Sequence, residues 1–178
     1  VYNLAAAVLL TLYSLWFGDG VAVSRGEIVE ICPALSSIVG EIAGRIARHG
    51  GLAIFVDYGD WRSRGDTFQA VQDHEPVDPF DAPGLADLTA HVDFEAISHV
   101  ATAAGARVTP MVTQGLFLER LGITQRAQTL ARAMPDSATL EAHIAAHRRL
   151  THPQEMGSLF KAIAIHPTGT PTPPGFET

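Results

Sequence analysis

Apolar positions along the chain recur with the period of a helix in some segments and form continuous runs in others. Isoleucines repeat at a spacing of four within residues 38–46, and this spacing predicts an amphipathic helix from Ser36 or Ser37 to about His49. The continuous apolar run at residues 52–56 follows closely, and it predicts a strand that is buried on both faces. A helix that leads straight into a buried strand indicates an α/β fold.

Further helices and strands are predicted after this central strand. Asp93 is a good N-cap for a helix at residues 94–104. Residues 107–113 and 158–165 have the apolar character of strands, and we expect them to form an antiparallel pair at the end of the fold. Between these two strands the pattern predicts a helical insert, with helices at about residues 124–133 and 137–150.

Three regions differ in composition. Residues 1–18 carry no formal charge, and no Lys or Arg flanks them closely. We interpret segment 1–20, of unclear origin, as an apolar element that packs in a core, with a membrane anchor as the alternative. Residues 21–166 form the main domain. The segment 167–178 contains four prolines and is predicted to be a disordered tail.

The balance of charge limits the classes of partner. The 178 residues include 12 Lys and Arg against 19 Asp and Glu, which gives a formal net charge of −7. This balance argues against a broad nucleic-acid surface, which needs clustered Lys and Arg. Cys32 is the only cysteine, so the chain forms no intrachain disulfide, which fits a reducing compartment.

Several blocks of the sequence, in the right order, resemble a known family. They are GEIVEICP at 26–33, DYG at 57–59, DTFQAV at 66–71, DLTAHVDF at 87–94, TQGLFL at 113–118 with LGI at 121–123, and MGSLFKAIAI at 156–165. These blocks resemble the carboxyl-terminal half of the MidA-like methyltransferases, which are class I S-adenosylmethionine-dependent enzymes. Mitochondrial members of that family are complex I assembly factors that methylate an arginine. The resemblance implies the carboxyl-terminal portion of a Rossmann-like methyltransferase sheet.

The resemblance also implies an activity and a location. It implies an S-adenosylmethionine-dependent protein methyltransferase with an arginine acceptor, and a respiratory complex I subunit as the protein substrate. The location would be the cytoplasm in a bacterium or the mitochondrial matrix in a eukaryote. Neither nucleic acid nor a membrane is expected as a partner.

One family feature is missing from these residues. The family's glycine-rich cofactor motif precedes all of the blocks above, and the sequence holds no G-x-G-x-x-G. We therefore expect a fragment whose S-adenosylmethionine site lies mostly outside this chain and which is inactive alone, so that its cofactor-binding residues stay unassigned. The alternative is a non-catalytic module that binds a protein partner or forms a homodimer through an uncovered sheet edge.

Asp57, Tyr58 and Gly59 end the predicted central strand. Open α/β sheets bind ligands beyond the carboxyl ends of their strands. Methylation of an arginine also needs a guanidinium that is held and a proton that is accepted. We therefore interpret Asp57 as a catalytic carboxylate, and Tyr58 and Gly59 as substrate-binding residues. A carboxylate that caps the following loop is an equally good interpretation of Asp57.

A second group of candidates lies in the block at residues 66–71. Asp66 and Thr67 could line a pocket, and Gln69 could orient a polar substrate. Asp and Thr are also ordinary N-caps. A short helix that begins here is therefore the alternative, and for Thr67 it is the better one.

Histidines and one glutamine complete the candidates. His91 lies in DLTAHVDF, and we interpret it as a second catalytic residue, one that accepts a proton. Asp93 in the same block is explained by its capping role. Gln114 is a candidate substrate ligand, although a buried turn hydrogen bond explains it better. His143 and His147 have the i, i+4 spacing of zinc ligands, but no third ligand is near in sequence, so no metal site is predicted.

Overall fold

A computed structural model describes residues 28–81 and 84–177. The apolar segment 1–20 therefore lies outside the described residues. The helices are α1 (Leu35–His49), α2 (Phe94–Ala103), α3 (Gln114–Arg120), α4 (Ile123–Ala131), α5 (Ser137–Thr151) and α6 (Met156–Leu159). The strands are β1 (Ala53–Asp60), β2 (Gln69–Gln72), β3 (Glu75–Val77), β4 (Asp87–Thr89), β5 (Val92–Asp93), β6 (Ala106–Val108), β7 (Val112–Thr113) and β8 (Phe160–Pro167).

Strand β8 is the centre of a five-stranded sheet. It pairs antiparallel with β1 on one side and with β6 and β7 on the other, and β5 joins β1 in parallel. The predicted antiparallel pair is therefore confirmed, as is the α/β class. The predicted strand at 107–113 is divided into β6 and β7 because Pro110 has no N–H to donate. Thr109 bridges the gap, since its Oγ1 accepts a hydrogen bond of 2.9 Å from the backbone N–H of Ala164.

The two faces of β8 belong to two separate apolar clusters. Ile163 and Ile165 face the helices α1 and α2 and form the main core with them. Ala162 and Ala164 point to the opposite face, where they pack with Phe117 of α3 and Phe176. Phe176 is buried although it lies in the segment predicted to be disordered, because its ring packs on that of Phe117 at a centroid distance of 4.8 Å.

The structure corrects the predicted burial of β1. Ala53 and Phe55 pack against the main core. On the other face Ile54 and Val56 remain 45% and 42% exposed. The prediction of burial on both faces is therefore wrong for the described residues, because nothing described there covers the apolar side chains of that face.

A second, three-stranded sheet lies in a region for which no strand is predicted. Its strand order is β3-β2-β4, and both pairings are antiparallel. Thr67 and Asp66 lead into strand β2, so the predicted alternative of a helix N-cap at these residues is wrong. None of the described helices is both long and apolar enough to cross a membrane.

Candidate functional site

A cleft of about 440 Å³ lies between α1, the middle of β1, and the junction of β5 with α2. Its walls are mainly apolar and include side chains of all three regions, among them Leu35, Phe55 and Ile97. Its polar lining residues are Glu30, Asp57, Ser63, His91 and Asp93. A mainly apolar cleft with a few convergent polar groups has the form of a small-ligand site.

Asp57 is half-buried on the cleft side of β1. Its Oδ1 accepts a hydrogen bond of 2.8 Å from the backbone N–H of Tyr58. Both interpretations of this carboxylate therefore have a basis in the geometry, because it binds the local backbone and lines the cleft as well. The opposite residue on β8, Lys161, donates from Nζ to the carbonyl oxygen of Ser158 at 2.7 Å.

Tyr58 and Gly59 hold neighbouring parts of the site in place. The Tyr58 ring meets the ring of His91 edge-on at a centroid distance of 5.9 Å and that of Phe160 at 5.4 Å. At Gly59, an added Cβ atom would lie 2.2 Å from the carbonyl oxygen of Val92. A glycine at this position lets β5 approach β1 closely enough to pair with it, and this pairing brings His91 and Asp93 to the cleft.

Thr67 connects three parts of the chain. Its backbone N–H donates to Oε1 of Glu30 at 2.9 Å, and its hydroxyl donates to Oε2 of the same carboxylate. The Thr67 hydroxyl oxygen in turn accepts a hydrogen bond of 2.9 Å from the backbone N–H of His91. Thr67 therefore fixes two residues that line the cleft. Asp66 and Gln69, its predicted companions, are exposed and outside the cleft lining.

Gln114 lies apart from the other candidates. Its side chain is buried, and Nε2 donates a hydrogen bond of 2.9 Å to the carbonyl oxygen of Leu150. This contact joins the start of α3 to the end of α5, so Gln114 is buried as the alternative expects, but its partner is distant in sequence and not part of a local turn. The structure thus gathers Asp57 and His91 at the cleft, with Tyr58, Gly59 and Thr67 beside it, while Gln114 lies in the helical insert.

Asp93 lines the cleft and also caps a helix, and the sequence pattern indicates only the cap. Its Oδ1 caps α2 by accepting a 2.8 Å hydrogen bond from the backbone N–H of Ala96, as predicted. Burial in the cleft wall raises the pKa of Asp93 above its ordinary value, and hydrogen bonds from Ala96 and Ser63 offset this effect only partly. A carboxyl group with a raised pKa in a cleft is suited to proton transfer.

Glu30 and Ser63 are two further cleft residues, and neither is among the candidates that the sequence indicates. Glu30 belongs to the block GEIVEICP, so the resemblance contained a signal for it. The hydroxyl of Ser63 is buried and has no hydrogen-bond partner among the described residues. No pattern in the sequence distinguishes Ser63 from other loop serines.

The loop after β1 is tied to the first turn of α2. Arg62 Nε and Nη2 donate to the Glu95 carboxylate at 2.5 and 2.7 Å, and Trp61 Nε1 donates to it at 3.1 Å. The Arg62 hydrogen bonds are the main reason that the pKa of Glu95 is lowered. These contacts fix the loop that carries Ser63, and they hold one wall of the cleft in a single position.

The spaced histidines of the helical insert contact other groups of the insert. His147 Nε2 lies 3.1 Å from Thr124 Oγ1, and His143 Nε2 lies 3.0 Å from the carbonyl oxygen of Ala127. Both contacts join α5 to α4, because Thr124 and Ala127 both lie in α4. Within the described ranges, no three His, Cys, Asp or Glu side chains gather in a way that could hold a metal ion.

Known proteins similar to this chain include methyltransferases. Residues 10–112 match the family model of S-adenosyl-L-methionine-dependent methyltransferases. The mitochondrial protein arginine methyltransferase NDUFAF7 homolog of Drosophila melanogaster is 42% identical over 131 residues, which cover 72% of this chain and 30% of that protein. Mitochondrial NDUFAF7 of Rattus norvegicus is 36% identical over 143 residues, or 80% of this chain and 33% of the relative. The chain thus spans about a third of the length of these relatives.

Two crystal structures of Burkholderia thailandensis proteins share the fold. One superposes with a TM-score of 0.72 at 29% identity and covers 97% of this chain and 44% of that protein. The second was solved with bound S-adenosyl-homocysteine and has a TM-score of 0.69, also at 29% identity, over 89% of this chain and 40% of its own length.

Proposed function

The chain belongs to a family of S-adenosyl-L-methionine-dependent methyltransferases, and we propose that it forms the acceptor-binding part of a protein arginine methyltransferase. The names of the relatives from Drosophila melanogaster and Rattus norvegicus support an arginine acceptor. A respiratory complex I subunit as the acceptor is a finer proposal, which rests on the family resemblance. The mitochondrial matrix, for a eukaryotic source, is supported by the mitochondrial names of the relatives.

The composition of the cleft is the observation that carries this proposal. Three carboxylates, those of Glu30, Asp57 and Asp93, line a cleft whose other walls are mainly apolar. A guanidinium is a planar cation that carboxylates bind through paired, charge-assisted hydrogen bonds. The apolar walls would contact the methylene groups of the arginine side chain, which pack well on apolar surface.

The roles of the acidic residues follow from their surroundings. Asp57 orients the guanidinium, because its carboxylate lies at the cleft and one of its oxygens is already fixed by the Tyr58 N–H. A guanidinium nitrogen must lose a proton as it gains a methyl group. His91 and Asp93 are the proposed proton acceptors, since both line the same cleft and the pKa of Asp93 is raised.

The described residues alone do not fit the cofactor. No strand-to-helix junction among residues 28–81 and 84–177 carries a glycine-rich loop, and β5 passes directly into α2. We therefore assign to this chain the acceptor side of the reaction. Most of the S-adenosylmethionine site is assigned to the additional length that the relatives have.

Calorimetric titration with two matched peptides tests the proposal. One peptide carries a central arginine, and the other carries citrulline, which has the same shape without the charge. We expect the arginine peptide to bind this chain, and the variant Asp57→Asn to bind it about tenfold to hundredfold more weakly, since a hydrogen bond to a charged group contributes about 1.5–3 kcal/mol. The variant Glu41→Gln, on the exposed side of α1, should bind like the parent.

Two results would contradict the proposal. Equal affinity for the arginine and citrulline peptides would mean that the cleft does not recognise a guanidinium. Saturable binding of S-adenosylmethionine to this chain, abolished by Asp57→Asn, would assign the cleft to the cofactor instead.

An exposed sheet edge favours a second candidate function, that of a protein-interaction module. Strand β1 pairs with β5 only at Gly59 and Asp60. In the described part of the chain, the remaining β1 edge opposite β8 has no partner strand, and Ile54 and Val56 beside it are exposed. Sedimentation analysis tests this candidate, because a homodimer through this edge should dissociate in the variant Val56→Lys.

A further inference from the structure

The three-stranded sheet has one apolar face that is partly open to solvent. Strand alternation and pairing place Phe68, Ala70, Val77 and Leu88 on the same side of this sheet. Phe80 extends the face, with its ring centroid 6.0 Å from that of Phe68. Phe80 and Leu88 are 77% and 55% exposed. We call this surface the sheet face.

Acidic residues are frequent in the segment that carries the sheet face, although Asp87, which is paired with Val71, lies on the other side of the sheet. The segment 66–89 contains six acidic residues and no Lys or Arg. They are Asp66, Asp73, Glu75, Asp78, Asp81 and Asp87, and all six are exposed. An exposed apolar patch with a charged rim is typical of a site for another protein. The sign of this rim selects a partner of positive charge.

The sheet face is connected to the cleft through Thr67. This residue stands immediately before Phe68 and binds both Glu30 and the backbone of His91. Glu30 and His91 line the cleft. A polypeptide that lies on the sheet face would therefore be adjacent to the wall of the cleft.

We propose that the sheet face docks a basic segment of the protein acceptor, one in which arginines alternate with apolar residues. The inference rests on the proposed function. It adds a second surface, outside the cleft, that holds the acceptor protein. The apolar residues of the segment would cover Phe68, Phe80 and Leu88, while its cations would face the acidic rim. Docking at this second surface raises the local concentration of the reacting arginine at the cleft.

The negative charge of the rim disfavours other partners of the sheet face. A second copy of the chain, paired through the same face, would bring the acidic residues of one rim against those of the other. Nucleic acid and anionic lipid surfaces carry the same sign of charge as the rim and would be repelled.

Fluorescence anisotropy of the chain with a labelled peptide of alternating arginine and leucine tests the docking. We expect binding that weakens with added salt. The variant Phe80→Ser should bind about tenfold more weakly, because an exposed aromatic at the centre of such a patch contributes strongly to binding. The double variant E75Q/D81N should also bind more weakly. Its matched control E41Q/E141Q removes two acids from exposed helix positions and should bind like the parent.

Three results would overturn the inference. The first is a peptide affinity that is unchanged in both Phe80→Ser and E75Q/D81N. The second is an equal loss in E75Q/D81N and E41Q/E141Q, which would mean attraction by net charge alone. The third is a concentration-dependent dimer of the chain that Phe80→Ser abolishes, which would assign the sheet face to a second copy.

The variant Asp57→Asn separates this inference from the proposed function. If docking of the alternating peptide survives in Asp57→Asn while the single-arginine peptide no longer enters the cleft, both are supported. If the single-arginine peptide depends on Asp57 but the sheet-face variants change nothing, the inference fails and the proposed function stands. If the sheet-face variants weaken docking but Asp57→Asn does not change binding of the single-arginine peptide, the docking site stands and the proposed role of the cleft fails.

Discussion

The five-stranded and three-stranded sheets of this protein differ in how their residues are held. In the first, residues 162–166 of β8 are all buried, with apolar clusters on both faces. In the second, Ala70 is the only strand residue that is fully buried. Its attachment to the rest of the fold includes the hydrogen bonds of Thr67 to Glu30 and His91.

This difference indicates that the five-stranded sheet mainly stabilises the fold and that the three-stranded sheet is suited to recognition. Burial of apolar area is the main source of folding free energy. Both apolar clusters of the described residues pack on the five-stranded sheet. A small sheet held by a few polar contacts contributes little, and its apolar side chains are free to meet a partner. The cleft lies beside the five-stranded sheet, whose strand β1 carries Asp57, while Thr67, just before the small sheet, binds the backbone of His91.

The largest expected effect comes from truncating the same kind of side chain in both sheets. Ile163→Ala removes buried atoms from the main core and should lower the free energy of unfolding by about 3–4 kcal/mol. Leu88→Ala, at an exposed position of the sheet face, should lower it by less than about 1 kcal/mol. Urea denaturation measures both values, and similar losses would show that the two sheets are equally important for stability.

A middle-sized effect is expected at the attachment of the small sheet. Thr67→Val keeps the shape of the side chain but removes the hydroxyl that binds the Glu30 carboxylate and the His91 N–H. A cost of about 1–2 kcal/mol follows from the unpaired groups that remain. Hydrogen exchange should become faster in residues 69–89 and stay unchanged in β8. Thr67→Ser keeps the hydroxyl and serves as the control, and faster exchange throughout the chain would contradict local attachment.

The fold was predictable where a local signal matched the tertiary structure. The isoleucine spacing and the Asp93 cap predict α1 and α2 to within about two residues. The antiparallel pair was predictable because β8 is long and apolar. The small sheet was not, because strands of three or four residues have too little periodicity, and the prolines and acids between them indicate a loop.

The site was predictable only in part, because one residue can satisfy two roles. The sequence indicates Asp57 and His91 as candidates, and both line the cleft. The position of Asp93 before a helix is fully explained by capping, which it performs, so the sequence gives no separate signal for its place in the cleft. Gln114 is a candidate because of its block, but its partner Leu150 is 36 positions away, and no local pattern predicts such a contact. Phe176 was missed for a similar reason, since one aromatic residue in a Pro-rich tail has no periodicity.

The smallest expected effect is a pH dependence that distinguishes two capping aspartates. Asp93 has a raised pKa because it is buried, and Asp136, the cap of α5, has a lowered pKa because it accepts the backbone hydrogen bond of Thr139. A raised folded pKa means that the contribution of Asp93 to stability is complete below its ordinary value of 3.8 and is lost as the pH rises through the raised pKa. The contribution of Asp136 has the opposite sign, since it is present above 3.8 and is lost as the pH falls through the lowered pKa.

Asparagine variants convert these opposite signs into a measurement. Asparagine keeps a capping oxygen and cannot ionise. The melting temperature of Asp93→Asn minus that of the parent should therefore increase from pH 3.5 to 7. This increase should be smaller than the loss of melting temperature that Thr67→Val causes. The same difference for Asp136→Asn should decrease over this range. If both differences decreased, the Asp93 carboxylate would be stabilised in the folded state as the exposed cap is, and its assignment as a proton acceptor in the cleft would lose its physical basis.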